Sequence, residues 1–134
     1  MVKAISITPV LNVSSIVDTF TWFEALGWER GFEWGEPVGF GAVCSGNCEI
    51  FLCLDGQGGR GKGSNVTTFT NAIDEKQDKG VWLSVFVENV DKLHQICLEK
   101  NIEVTHSPSD MPWGVRELHV RHPDGHVLRL SQEL

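Results

Sequence analysis

The sequence predicts an α+β fold made of two βαβββ modules, and two observations support this. First, "TPVLNVSSIVDTFTWFEALGWE" from Thr8 aligns in its physical pattern with "WLSVFVENVDKLHQICLEKNIE" from Trp82, since each begins with an apolar strand and continues as an amphipathic helix. Second, three strand-like segments separated by turns follow each helix. The chain is therefore expected to be one domain that contains an internal duplication.

Both helices have matching start and stop signals. Ser15 and Asn89 precede the first helical turns, and side-chain oxygens of these residue types accept hydrogen bonds from free backbone amides. Gly27 and Asn101 align at the ends, where Gly and Asn most readily adopt the left-handed conformation that terminates a helix. The apolar face of each helix is formed by Ile16, Phe20 and Phe23 in the first copy and by Val90, Leu93 and Cys97 in the second.

The strands follow the helices in both modules. We expect them near residues 28–34, 38–44 and 48–54, and again near 103–105, 115–121 and 127–132. Module one then spans residues 1–54 and module two spans 81–134. The glycine-rich and then polar residues 55–80 are predicted to form a long loop, a lid or a dimer contact. Its "GQGGRGKG" stretch lacks the Ser or Thr of a phosphate-binding loop, which argues against nucleotide binding.

Bulk composition excludes several classes of function. Eleven basic and eighteen acidic residues give a net charge of -7, which disfavours nucleic acid and favours neutral or cationic ligands. No apolar run approaches the roughly 20 residues of a membrane helix, and the N-terminus lacks a secretion pattern. We expect a cytoplasmic protein whose four cysteines are buried free thiols, with a Cys44–Cys48 disulfide as the alternative.

The C-terminal hairpin contains the most informative polar residues. Strand alternation turns Leu118 and Val120 to the core. It places Glu117, His119 and Arg129 on the opposite face, where they are predicted to form a hydrogen-bonded cluster. The alternative is a salt-bridge network that lines an empty cleft. His122 and His126 bracket the "PDG" turn and are predicted to lie at the surface.

The segments "PVLNV" and "WGVRELHVRHPDGHVLRL" make the chain resemble the glyoxalase/bleomycin-resistance/dioxygenase (vicinal oxygen chelate) superfamily, and the bleomycin-resistance branch in particular. Only His122 departs from that hairpin pattern, where the family usually has Asp. The resemblance implies a cupped mixed sheet, with helices on its convex side and a ligand or metal inside. It also implies a homodimer.

The resemblance assigns the metal-ligand positions of the superfamily's enzymes to four strands. In this sequence these positions are Thr8, Glu49, Trp82 and Arg129. Only Glu49 is a natural metal ligand, because an Arg side chain keeps its positive charge and an indole has no lone pair for coordination. The sequence therefore resembles a metal-free member, with no metal and no cofactor expected.

Five tryptophans in the absence of tyrosine suggest aromatic ligand contacts. Trp22 and Trp28, in the first helix and at its exit, are predicted to be core residues. The main hypothesis is a metal-independent protein that sequesters a bulky compound, as bleomycin-resistance proteins do. The alternatives are a metal-dependent enzyme in which Glu49 and His119 would be ligands, and a scaffold module. The predicted ligand-binding residues are Trp34, Glu49, Trp82, Trp113, Glu117, His119 and Arg129.

Overall fold

A computed structural model describes residues 1–54 and 80–134. The chain divides into two compact units, Met1–Ser64 and Asn65–Leu134. In the described residues each unit has one helix and one four-stranded mixed sheet, so the predicted pair of βαβββ modules is confirmed. Residues 55–79 of the predicted loop lie outside the described residues. No helix in the described ranges is long and apolar enough to span a membrane.

The first unit follows the predicted order of elements. Its sheet has the strand order β1-β4-β3-β2, with β1 parallel to β4 and the other neighbours antiparallel. The elements are β1 (Val10–Asn12), α1 (Ile16–Ala25), β2 (Glu29–Trp34), β3 (Phe40–Ser45) and β4 (Cys48–Cys53).

Helix α1 begins and ends at the predicted residues. The Ser15 side chain accepts a hydrogen bond from the Asp18 amide at 3.1 Å, and Gly27 after the helix has a φ of 92°. Phe20 packs so closely on the sheet that a Cβ on Gly41 would lie 2.8 Å from its ring. This contact explains why a residue without a side chain occupies the second position of β3.

The second unit repeats this arrangement. Its strand order is β5-β8-β7-β6, and only β5 and β8 are parallel. The elements are β5 (Trp82–Phe86), α2 (Val90–Lys100), β6 (Glu103–Asp110), β7 (Val115–Arg121) and β8 (Val127–Glu133).

Strand β6 is longer than residues 103–105, the range that the sequence predicted. Its antiparallel pairing with β7 continues to Asp110, through two register irregularities on either side of His106. The stretch "THSPSD" is polar and contains Pro108, which lacks an amide hydrogen and argues against a central strand. An edge strand tolerates such a residue, and β6 lies at the edge of this sheet.

The second helix and core also agree with prediction. The Asn89 side chain accepts a hydrogen bond from the Lys92 amide at 3.0 Å, and Asn101 ends α2 in the left-handed conformation. The side chains predicted to point to the core are 0 to 1% exposed, namely Leu118, Val120, Leu128 and Leu130.

The surface prediction for His122 and His126 is wrong, because both imidazoles are buried. The ring centroids lie 5.8 Å apart. His122 Nδ1 accepts a hydrogen bond from the Asp124 amide at 3.0 Å, and His126 Nδ1 accepts one from the Val81 amide at 3.1 Å. Each of these backbone donors satisfies one imidazole nitrogen, which favours burial of the turn residues.

The chain that enters β5 covers this turn. Gly80 has a φ of 102°, and a Cβ there would lie 2.5 Å from the carbonyl carbon of Gly125. Such a backbone contact is possible only for glycine. It joins segments far apart in the sequence, so a local reading of the turn could not reveal it.

The cysteine and tryptophan predictions are confirmed in part. None of the four cysteines, which all lie in the described ranges, forms a disulfide; Cys53 and Cys97 are buried as predicted, whereas Cys48 is exposed. The register pairs Ser45 with Cys48, so Cys44 and Cys48 are not directly opposite each other. Trp22 and Trp28 are buried in the core of the first unit, as the sequence predicted.

Candidate functional site

The polar face of the second sheet contains most of the predicted site. Residues on one face of a sheet alternate along each strand and pair directly with their neighbours. Glu117 pairs with Ser131, and His119 pairs with Arg129. Arg129 is also opposite Ser84 on β5. Because their neighbours Leu118 and Val120 are core residues, Glu117 and His119 lie on the face opposite the core.

Glu117 is the centre of this face, and its side chain is only 1% exposed. Its Oε1 accepts hydrogen bonds from Arg129 Nε at 2.9 Å and His119 Nε2 at 2.9 Å. Its Oε2 accepts from Arg129 Nη2 at 2.8 Å and from Trp113 Nε1 at 2.7 Å. The predicted cluster of Glu117, His119 and Arg129 therefore forms, with Trp113 as a fourth member.

The protonation of the cluster follows from these bonds. The Arg129 hydrogen bonds lower the pKa of Glu117 from 4.5 to about 2, against the opposing effect of burial, and hydrogen bonds from His119 and Trp113 assist. The same pairing raises the pKa of Arg129. An ionised carboxylate only accepts hydrogen bonds, so Nε2 of His119 must donate. In the neutral ring Nδ1 is then left as an acceptor.

Exposed aromatic rings lie on the same face of the sheet as Arg129. The Trp113 ring centre lies 5.7 Å from the guanidinium carbon. Trp82 and Phe86 lie two residues either side of Ser84, so both share its face of β5. The exposed fractions are 70% for Trp82, 63% for Phe86 and 60% for Trp113. Flat apolar surface with a few polar groups is typical of small-molecule sites.

His106 is a member of this site that the sequence did not predict. Its ring contacts that of His119 with centroids 4.8 Å apart, and its buried Nε2 has no hydrogen-bond partner among the described residues. It was missed because β6 was expected to end at residue 105. Had β6 been predicted to extend beyond residue 105, His106 could have been placed opposite His119, as it is in the structure.

The two remaining predicted residues belong to the first unit. Trp34 ends β2 and is 73% exposed. Glu49 lies on β4 opposite Cys44, whose Sγ donates a weak hydrogen bond to Glu49 Oε2 at 3.9 Å. The sequence did not single out the nearby cluster of Phe32, Phe40 and Phe51, whose ring centres are 5.4 to 5.8 Å apart.

Three of the four residues that the resemblance assigned to metal-ligand positions do not fit a divalent cation. Arg129 directs two of its nitrogens to Glu117 and provides no lone pair. Trp82 provides only an indole N–H, and Thr8 precedes β1. In residues 1–54 and 80–134, no group of three or more His, Cys, Asp or Glu side chains is placed to hold a metal ion.

The chain belongs to the Glyoxalase/Bleomycin resistance protein/Dioxygenase superfamily, whose family model matches residues 7–130. This confirms the resemblance inferred from the sequence. No curated protein sequence matched the chain.

Solved structures with the same fold include two proteins connected with bleomycin. A bleomycin-binding protein in complex with bleomycin has a TM-score of 0.69 at 16% identity, covering 98% of this chain and 100% of that one. A bleomycin resistance determinant encoded on transposon Tn5 has a TM-score of 0.69 at 18% identity, covering 97% and 98%. TioX from Micromonospora sp. ML1 has a TM-score of 0.71 at 16% identity, covering 96% and 100%.

Proposed function

We propose that this protein is a metal-independent small-molecule binding protein that sequesters a bulky aromatic compound. The observation that carries the proposal is the bidentate ion pair of Glu117 with Arg129, at distances of 2.8 and 2.9 Å, beside exposed indoles. The pair fixes polar groups in place without a metal. The aromatic rings supply flat surface that a planar compound can stack on.

The chemistry of Arg129 supports metal independence. Its guanidinium stays protonated at any physiological pH, so it is a permanent positive charge at a metal-ligand position of the superfamily. A divalent cation beside that charge would be repelled, and Glu117 already accepts four hydrogen bonds and has no free lone pair. The Glu117 carboxylate is therefore not available to coordinate a metal ion.

Two structural neighbours support sequestration as the biological role. They are a bleomycin-binding protein and a bleomycin resistance determinant. A role in resistance to an antibiotic or another toxic compound, exerted in the cytoplasm, follows by analogy with them.

We also propose a homodimer, since burial in an interface would stabilise exposed apolar residues such as Val10, Phe32 and Trp34. Light scattering at twice the chain mass is the expected result.

An enzyme of the same superfamily is the second candidate. The favouring observation is His119, whose ring is oriented by Glu117 at 2.9 Å and retains an acceptor at Nδ1. In that case His119 would coordinate a metal with Glu49 as a further ligand, supplied by the same chain or a second copy. Turnover that depends on added metal is the distinguishing property.

A thermal-shift screen tests the proposal. Bleomycin, other planar antibiotics, diketones, glutathione conjugates and catechols are added with EDTA and, separately, with zinc, iron or manganese. A ligand at a hundred times its dissociation constant stabilises a fold by about 2.7 kcal/mol, which raises the melting temperature. We expect at least one planar compound to stabilise the protein equally in EDTA. Stabilisation only in metal, together with turnover, would support the enzyme instead.

A further inference from the structure

The two side chains of the Glu117–Arg129 ion pair differ in their exposure to solvent. The carboxylate is 1% exposed, whereas the Arg129 side chain is 30% exposed. We infer that the ligand is a planar aromatic compound bearing an anionic carboxylate or phenolate, which binds Arg129 while its rings stack on Trp82 and Trp113. This rests on the proposed function and names the chemical class of its ligand.

The negative charge of Glu117 is not available to a cationic ligand. Each of its two oxygens already accepts two hydrogen bonds, and an ionised carboxylate has about four acceptor positions in all. His119 and Trp113 contribute two of these donors from either side. A cation could approach only by displacing one of these donors, and displacing Arg129 would break two charge-assisted hydrogen bonds.

The guanidinium of Arg129, in contrast, has N–H donors that Glu117 does not use. Nε and Nη2 bind Glu117, whereas Nη1 makes no hydrogen bond to any residue in the described ranges. A guanidinium has five N–H donors in one plane. The unused edge can therefore bind a carboxylate or phenolate oxygen, and Arg recognises planar oxyanions through such paired contacts.

The aromatic groups determine the rest of the ligand. Trp82 and Phe86 flank the strand position opposite Arg129, and Trp113 contacts its guanidinium. A planar ring attached to the anion would lie against these indoles. Indole faces also attract cations, but the neighbouring guanidinium repels them. Local charge thus opposes the cationic preference that the net charge of -7 suggests.

Three naphthalene probes test this inference, namely 2-naphthoate, 2-naphthamide and 2-(aminomethyl)naphthalene. They share a ring system and differ in charge at pH 7. Quenching of tryptophan fluorescence gives their affinities. We expect 2-naphthoate to bind roughly tenfold or more tightly than the amide, and the ammonium compound most weakly. Added salt should weaken the naphthoate complex and leave the amide complex almost unchanged.

A paired variant isolates the charge of Arg129. Arg129→Gln alone leaves Glu117 uncompensated, so the Glu117→Gln/Arg129→Gln double variant is used, and its fold is checked by circular dichroism. We expect it to bind naphthoate and naphthamide equally. Arg30→Gln is the control, because Arg30 likewise pairs with a glutamate, Glu24, at 2.9 Å, but in the first unit. It should retain the preference for naphthoate.

The outcomes separate this inference from the proposed function. If the ammonium compound binds as tightly as naphthoate, or the double variant keeps the anion preference, the inference is wrong and the binding function stands. If none of the three probes binds while the compound screen finds a ligand, the inference is again wrong and the binding function stands. If neither the probes nor the screen give binding, both proposals fail.

Discussion

Trp113 links the aromatic and ionic parts of the site. Its indole Nε1 donates a 2.7 Å hydrogen bond to Glu117, and the centre of its ring lies 5.7 Å from the guanidinium carbon of Arg129. One exposed side chain therefore covers a buried carboxylate and contacts its counter-ion. This dual role makes Trp113 the position where binding and stability can be separated.

Trp113→Ala should weaken ligand binding strongly and destabilise the fold only moderately. The variant removes a stacking surface and one hydrogen bond to a charged group, which is worth about 1.5 to 3 kcal/mol. Trp28→Ala is the matched control, since Trp28 is 7% exposed and loss of a buried aromatic costs about 3 to 5 kcal/mol. Urea unfolding and a fluorescence titration of each variant measure both effects. Equal losses of stability would contradict the assignment of Trp113 to the site.

Arg129→Gln should destabilise the protein more than the Glu117→Gln/Arg129→Gln double variant does. The single variant leaves a charge at Glu117 inside the fold without its counter-ion, whereas the double variant replaces the ion pair by two neutral amides. We expect the single variant to melt roughly 5 to 10 °C lower than the wild type, and the double variant to recover part of this. Calorimetry of the two single variants and the double variant completes the cycle. Additive losses would mean that the two residues are not coupled.

Glu117 should make stability depend on pH in the acid range. Its pKa is lowered to about 2 in the folded protein from 4.5, so the unfolded chain binds the proton more readily. The contribution, on the order of 3 kcal/mol, is complete above pH 4.5 and is lost as the pH falls through 2. Glu117→Gln should flatten the stability profile in that window. A profile identical to that of the wild type would contradict the strength assigned to the ion pair.

His122 should add a second loss of stability at higher pH. Burial lowers its pKa to about 4 from 6.5, so the folded state favours the neutral ring. The stability present above pH 6.5 is lost as the pH falls towards 4. His122→Asn retains an acceptor for the Asp124 amide and removes the titration. Chemical unfolding from pH 7 to 4 should show a smaller slope for this variant, and an unchanged slope would count against the buried position of His122.

Gly80→Ala should destabilise the second unit. The new Cβ would lie 2.5 Å from the Gly125 carbonyl carbon, at a φ of 102° that other residues rarely adopt. Such strain costs about 1 to 3 kcal/mol. Gly39→Ala is the control, since a Cβ there has no atom within 4 Å. Thermal melts of the two variants should differ by several degrees, and equal melts would contradict the Gly80–Gly125 contact.

The sequence predicted the features that depend on local rules. Helix caps at Ser15 and Asn89, the helix end at Asn101 and the core positions of β7 are each determined by a few adjacent residues. Alternation also brought Glu117, His119 and Arg129 to one face of the hairpin. These predictions succeeded because the strand period and capping chemistry are properties of short segments.

The features that the sequence did not predict depend on pairing between distant segments. His106 joins the site only because β6 extends along β7, and its polar sequence gave no sign of a strand. His122 and His126 are buried because of amide donors at Asp124 and Val81 and a glycine contact made by the segment before β5. Trp113 was predicted as a ligand residue, but its hydrogen bond to Glu117 required the loop geometry before β7.

An equilibrium titration of a compound found in the screen distinguishes metal-independent binding from a metal-dependent activity. The dissociation constant is measured by calorimetry in EDTA and again with excess zinc, iron or manganese. Metal-independent binding predicts the same constant in all conditions, with the compound recovered unchanged. A dissociation constant at least tenfold larger in EDTA, or conversion of the compound in the presence of metal, would contradict metal-independent binding. The reason is that a site centred on the positive charge of Arg129 should not bind a divalent cation.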